Sequence, residues 1–499
     1  MLGVGESDYE LDCIEGLSDG RLEQRAMWWT DAMSRAMAAL RGSIRRDFDG
    51  SEIESVGGIG VTGHMHCMVR VTKDGGKPFG CDMWNDPRGV DESLELSELF
   101  GESIPARWTG SHILASLRSA SHEWKDVAGV GVTSVSLVHD LTGEWVIGPG
   151  DASGMFGVLA ADGQIDTAKL AKMDEAAGGV KGRKPLCEMV PRVVVAGAIS
   201  GRLNTAGSAL LGGLPVGTPV AAPEGDQQSV LVGAGVDELE LALSAGTSFA
   251  GNMISRVNLK AESETVNVLH TPSGLTMLMI CARNGTIGFA NYVKGLASLA
   301  GVSFGEMADR LTDLASALPL DAHGVELLPF FQGENVAELP RAKASVHNAG
   351  IEYLANPGIM ARLLLEGPCM TMRYGVEQLR HRVGNLRRVV LSGGALKSKG
   401  GYAAQLYADI LGVPVVAREG DDEGTAKGAA VLAAFMAFKQ SESGSASTTS
   451  LAEFSASQTS TTQKESEVVW KPRPVAAATF DARYARFEKR VKAMQNEAV

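Results

Sequence analysis

The chain has 499 residues, 44% of them hydrophobic and 21% charged, which is the composition of a globular protein long enough for two or three domains. Its 46 Lys and Arg against 59 Asp and Glu give a net charge of -13. No basic excess is available to neutralise phosphates, which argues against nucleic acid or an anionic membrane as the main partner.

Cys13, Cys67, Cys81, Cys187, Cys281 and Cys369 lie far apart with no CxxC pair, so reduced thiols are expected rather than disulfides or a zinc site. No apolar run reaches membrane-spanning length, and Glu6, Asp8, Glu10 and Asp12 make the start too acidic for a signal or transit peptide. A cytoplasmic location is the expectation.

Trp28, Trp29, Met33, Met37 and Leu40 fall at helical spacing and predict a helix over 22–46. A buried strand is expected at 59–62, followed by Gly63-His64-Met65-His66. A polar loop carries Trp84-Asn85-Asp86-Pro87-Arg88, and 107–141 reads as helical with breaks. Short strands are expected at 193–195 and 219–221, then at 239–245 and 277–281. Helices follow at 287–300, 305–316 and 357–383. A strand at 388–391 feeds Gly393-Gly394, a helix covers 401–412, a strand 413–416 and an Ala-rich helix 424–438. Residues 440–466 are rich in Ser, Thr and Gln and predict a flexible insertion. A last helix spans 480–496, with Phe480, Tyr484, Phe487 and Val491 on one face. The alternation of strands and helices predicts an α/β architecture in two lobes.

Three segments carry chemistry. Asp226 sits in the Gly-flanked turn Pro223-Glu224-Gly225-Asp226-Gln227, where one carboxylate can aim an acceptor hydroxyl and take its proton. Gly246-Thr247-Ser248 follows about twenty residues later and offers N–H groups and hydroxyls to phosphate oxygens; an ordinary β-turn is the competing reading. Gly393, Gly394 and Ala395 lack bulk, so a flat base could lie on their backbone. Ser398 either caps the next helix or bonds a nucleotide. Asp86 and Arg88 either line a pocket or lock their own loop as a pair.

In chain order these segments resemble the FGGY carbohydrate kinases, most closely the xylulokinase-like branch. Gly60-Val61-Thr62-Gly63-His64-Met65-His66 is similar to the family's sugar-binding strand end, with His64 in place of its Gln and Cys67 in place of its Gly. Trp84-Asn85-Asp86-Pro87-Arg88 resembles its Trp-Asn-Asp-x-Arg loop. Leu141-Thr142-Gly143-Glu144 with Asp151-Ala152-Ser153, Gly225-Asp226-Gln227, Gly246-Thr247-Ser248, Gly333-Glu334, Leu365-Glu366-Gly367 and Gly393-Gly394-Ala395 match further segments. The resemblance implies an α/β, two-lobed, actin-like (ribonuclease H-like) ATPase fold with the site in the cleft between domains. It implies ATP and Mg2+ as cofactors and a small sugar as acceptor, with xylulose going to xylulose 5-phosphate.

By that resemblance Asp226 is the catalytic base. Met65, His66, Trp84, Asn85, Asp86, Arg88 and Gln227 bind the sugar. Gly246, Thr247, Ser248, Gly393, Gly394, Ala395 and Ser398 bind the nucleotide. The family's opening Asp-x-Gly-Thr loop has no counterpart in Met1-Leu2-Gly3-Val4-Gly5-Glu6-Ser7, so the N-terminal lobe is expected to lack its first strands. Ribulose, sedoheptulose or another polyol as acceptor, and a non-catalytic sugar-binding protein, stay open as alternatives. So does a homodimer as the assembly. The expected domains are 1–238 for the sugar, 239–439 for the nucleotide, 440–467 as the insertion and 468–499 as the terminal helix.

Overall fold

Strands and helices alternate through the computed structural model, which describes residues 3–9, 14, 21–394, 398–417, 424–441, 447–460 and 467–498. The chain divides into two units. The first is Met1–Gly233 with Val268–Thr276 and Thr425–Gln458, and the second is Ala234–Asn267 with Met277–Gly424 and Thr459–Val499.

In the first unit, helix Ala26–Asp47 buries Ala26, Trp29 and Ala32; of the predicted apolar stripe only Trp29 is buried, while Met33 and Met37 pack half-buried against the core. The strands of this unit pair two by two. Thr62–Gly63 lies parallel to Glu224–Gly225, and Val69–Thr72 lies antiparallel to Val127–Gly131. Among the described residues no strand precedes Glu23–Gln24. Val61, Val138, Leu141, Val146, Leu203 and Val220 form a core under the strand that carries the His64-Met65-His66 segment.

Helix Gly424–Gln440 closes on this core through glycines. A Cβ on Gly60 would lie 1.9 Å from the Ala429 carbonyl oxygen, and one on Gly428 would lie 1.8 Å from that of Ser229. Only a residue without a side chain allows that approach. The 424–438 stretch, expected in the nucleotide domain, therefore packs in the first unit from Thr425 onward.

The expected flexible insertion at 440–467 is corrected in its middle. Leu451–Ser460 is a helix. Its Leu451 is buried with Val232, Leu432 and Phe435, Phe454 packs beside them, and the Ser455 hydroxyl donates to the Val232 carbonyl at 2.7 Å. Residues 442–446 and 461–466 lie outside the described residues.

The second unit is built on six strands of a seven-stranded sheet, Thr276–Ala282, Phe249–Ser255, Glu240–Ala245, Arg388–Ser392, Val415–Ala417 and Val468–Trp470 in spatial order. Glu240–Ala245 and Arg388–Ser392 are parallel neighbours, with Ser244 opposite Ser392. The long helix Pro357–Val383 starts with Pro at its first turn and Asn356 capping the Gly358 N–H. The last helix, Pro474–Ala498, buries Phe480, Tyr484, Phe487 and Val491, the face read from its spacing. Between them Arg483 donates to Glu366 at 2.7 Å, and Glu366 also accepts from Arg362 at 3.3 Å. All three are buried, so each charge depends on the others for its partner.

Candidate active site

In the first unit two parallel strands deliver the predicted residues to one place. Thr62 pairs with Glu224 and Gly63 with Gly225, so His64-Met65-His66 and Asp226 leave adjacent strand ends. Asp226 opens helix Asp226–Ala234. Its Oδ1 accepts from the Met65 N–H at 3.4 Å and its Oδ2 from Gln227 Nε2 at 2.7 Å. Burial raises the Asp226 pKa, while Gln227 and His64 hold it down. The result is a carboxylate fixed in place and more basic than one in water.

His66 is the second predicted residue whose surroundings suit binding. It has φ 69°, is almost fully buried, and lies parallel to the Trp108 ring at 5.8 Å. Burial, helped by the charge of Arg107, holds its pKa well below the usual value, so the ring is neutral at pH 7. Its Nδ1 lies 3.0 Å from the Gly154 carbonyl oxygen and must carry the proton to bond there. That leaves Nε2 as an acceptor for a hydroxyl. Gly154 packs tightly here: a Cβ there would meet Met65 Cε at 2.9 Å and His66 Cε1 at 3.0 Å.

Met65 is buried, so it supports the site by packing and through its backbone N–H. The Trp84-Asn85-Asp86-Pro87-Arg88 loop splits. Trp84 and Asn85 are exposed. Asp86 and Arg88 tie the loop together as a pair. Arg88 Nε and Nη2 donate to both oxygens of Asp86 at 2.8 and 2.7 Å, and Asp86 also accepts from the N–H groups of Leu22 and Arg88. Glu23 takes a further Arg88 bond at 2.9 Å. With its carboxylate so engaged, burial notwithstanding, the Asp86 pKa is lowered, chiefly by Arg88.

Two more buried acids stand behind Asp226, and the sequence reading assigned neither a role. Glu224 accepts from the N–H groups of Gly150 and Asp151 at 3.3 and 3.0 Å, at the start of helix Pro149–Phe156. Ser134 donates to Asp151 Oδ2 at 2.5 Å. Burial pushes the Asp151 carboxyl up to about 7 and that of Glu224 well above the carboxylate range.

In the second unit, the parallel pairing of Glu240–Ala245 with Arg388–Ser392, with Ser244 opposite Ser392, makes the Gly246 and Gly393 turns leave adjacent strand ends. Gly393 has φ 88°, and a Cβ on it would lie 3.0 Å from the Ala245 carbonyl oxygen. The Gly246-Thr247-Ser248 turn is tied from behind. Thr286 donates to the Gly246 carbonyl through its N–H and its hydroxyl, both at 2.8 Å, and the Gly285 N–H donates to that of Thr247 at 2.9 Å. Thr247 faces solvent. Asn284 anchors this support by donating to the Gly333 carbonyl at 2.7 Å and to Glu334 at 3.1 Å. Sequence reasoning missed Asn284, Gly285 and Thr286, although it marked Gly333-Glu334.

Beyond Thr286, Ile287, Asn291, Tyr292, Phe331, Met360 and Leu364 line a largely apolar cavity of about 340 Å³. The Ser398 hydroxyl accepts from the Ala403 N–H at 3.1 Å, the capping reading of that residue. Ala395 lies outside the described residues.

Comparison with known proteins places part of the chain in a family. Residues 241–437 match the model of the FGGY family of carbohydrate kinases, C-terminal domain. It is 26% identical to a xylulose kinase of Haemophilus influenzae over 87% of this chain and 85% of that one. It is 26% identical to a xylulose kinase of Escherichia coli over 82% and 81%. Among solved structures, a xylulose kinase from Rhodospirillum rubrum superposes with a TM-score of 0.77 at 21% identity, covering 98% of this chain and 93% of that one. Plasmodium falciparum glycerol kinase with ADP gives 0.74 at 16% identity, covering 97% and 92%. The chain thus has the actin-like, two-domain α/β fold of these kinases.

Proposed function

We propose that this chain transfers the γ-phosphoryl group of ATP to a ketopentose, with xylulose as the substrate and xylulose 5-phosphate as the product. The observation that carries the reading is the pairing of Thr62–Gly63 with Glu224–Gly225, which sets Asp226 beside the His66 segment. A xylulose kinase of Haemophilus influenzae and one of Escherichia coli among its relatives support the choice of sugar.

Each residue then has a task. His66, neutral, accepts from one sugar hydroxyl at Nε2. Asp226 accepts the proton of the attacking hydroxyl as its oxygen bonds to the γ-phosphorus and the bond to the ADP oxygen breaks. Gln227 and the Met65 N–H hold the Asp226 carboxylate still, which lets it act without first reorganising. The Gly246-Thr247-Ser248 turn receives phosphate oxygens, stiffened by Gly285 and Thr286 behind it. Gly393 and Gly394 receive the nucleoside.

Mg2+ accompanies the nucleotide and neutralises charge on its phosphates. Among the described residues no group of three or more His, Cys, Asp or Glu is placed to hold a metal.

The test is ADP release by the purified chain with ATP, Mg2+ and each of xylulose, ribulose, sedoheptulose and glycerol. Xylulose should give the highest kcat/KM. A higher value with another acceptor overturns the sugar assignment, and no sugar-dependent ADP release overturns the kinase reading.

A further inference from the structure

The segment ahead of the first helix reaches the acceptor site. Residues 3–9 lie along helix Ala26–Asp47. Gly5 is so close that a Cβ would fall 2.1 Å from the Ala36 carbonyl oxygen. Arg35 fastens the segment by donating to the Ser7 hydroxyl at 2.9 Å and the Asp8 carbonyl at 2.8 Å. Tyr9 comes next, and its hydroxyl lies 2.8 Å from His64 Nε2.

The His64 ring is boxed on its other sides. Thr133 Oγ1 lies 3.3 Å from Nδ1, and the Trp29 ring meets the imidazole edge-on at 5.6 Å. His64 immediately precedes Met65, whose N–H holds Asp226. No role in the sequence reading fell on either Tyr9 or His64.

We propose that Tyr9 and His64 are a positioning pair for Asp226: the Tyr9 hydroxyl grips the His64 imidazole at Nε2 and so fixes the backbone turn whose next amide holds the Asp226 carboxylate. The inference rests on the reading of Asp226 as the base. It makes residues 3–9 a working part of the acceptor site.

The bond also sets the state of the ring. Tyr9 can donate only to a bare Nε2, so Nδ1 carries the proton and faces Thr133. Protonating His64 must break the Tyr9 donation. The groups around the ring are few. Burial raises the Tyr9 pKa, so the phenol stays neutral, and burial pushes the nearby Cys67 thiol up to about 12. Trp29 and Thr133 do not titrate. Among the described residues Asp226 is the charge facing His64, and it favours the imidazolium, against the burial that lowers the His64 pKa. Loss of the Tyr9 hydroxyl therefore moves His64 towards protonation.

Tyr9→Phe removes the hydroxyl and keeps the ring. In the full-length chain with 13C-labelled histidine, His64 is followed by NMR titration without ligands and assigned by its absence in His64→Gln. Its pKa should rise in Tyr9→Phe by about half a pH unit or more. Turnover of xylulose should fall about tenfold through a looser carboxylate, while the xylulose Kd without nucleotide stays within about twofold. An unchanged His64 titration, or full turnover in Tyr9→Phe, overturns the pair. A wild-type chain with no turnover overturns the kinase reading instead, and the titration still decides whether the pair exists.

Discussion

Asp226 and Asp151 share a buried corner, and their partners set them different tasks. Asp226 keeps Gln227 and the Met65 N–H on its oxygens, so it stays an acceptor. Asp151 has the Ser134 hydroxyl on Oδ2, while its Oδ1 is buried without a hydrogen-bond partner among the described residues. Its pKa of about 7 lies above that of an aspartate in the unfolded chain. Between those two values the folded chain binds a proton that the unfolded chain has released, so stability falls as pH rises through that window. Asp151→Asn keeps the Ser134 bond and removes the ionisation. It should be more stable than wild type at pH 8, by on the order of 1 kcal/mol, and the gain should vanish near pH 4. Thermal unfolding at both pH values checks this, and an equal Tm difference at both would remove Asp151 as the cause. Asp226 was legible in the sequence because Gly225 and Gln227 flank it. Asn284, Thr286 and Tyr9 were not, because their partners lie tens of residues away and no local pattern records such bonds.

Most helices were legible from apolar spacing, and two segments show where spacing fails. The strand Val127–Gly131 was read within a helical stretch because its glycines obscure the strand pattern. In the fold those glycines make room: a Cβ on Gly129 would meet Trp145 at 3.0 Å, and one on Gly131 would meet it at 3.2 Å. The helix Leu451–Ser460 was hidden by a Ser- and Thr-rich composition. Its start nevertheless carries a capping box. The Ser450 hydroxyl accepts from the Glu453 N–H at 3.2 Å, and Glu453 accepts from the Ser450 N–H at 2.8 Å. The Ser-x-x-Glu spacing at 450–453 was the signal that composition outweighed. Replacing 441–466 with a Gly/Ser linker removes Leu451 from its cluster and leaves the Val232 carbonyl without Ser455. Stability should drop by about 2–4 kcal/mol, the scale of losing one buried Leu and one buried hydrogen bond. An unchanged Tm would show that this helix adds nothing.

At the scale of the molecule, both units use the same device. Functional loops leave the carboxyl ends of parallel neighbouring strands, Thr62–Gly63 with Glu224–Gly225 in one and Glu240–Ala245 with Arg388–Ser392 in the other. The order of motifs along the chain was legible because each loop needs Gly at a close approach, and such glycines leave short, readable strings. The division into units was less legible. Helices Gly424–Gln440 and Leu451–Ser460 follow the second unit's strands Glu240–Ala245 and Arg388–Ser392 in sequence, yet they pack against Ser229 and Val232 of the first unit. Nothing in their own residues names that partner.

Asp226 is the group proposed to take the proton from the sugar. The direct measurement is ADP release from ATP and xylulose by wild type and Asp226→Asn, with xylulose Kd and Tm determined on the same samples. Asparagine keeps the oxygen that accepts from the Met65 N–H and removes the base. The account predicts a fall in kcat of at least ~10²-fold with Tm and Kd little changed. An Asp226→Asn variant that keeps most of its turnover would contradict it.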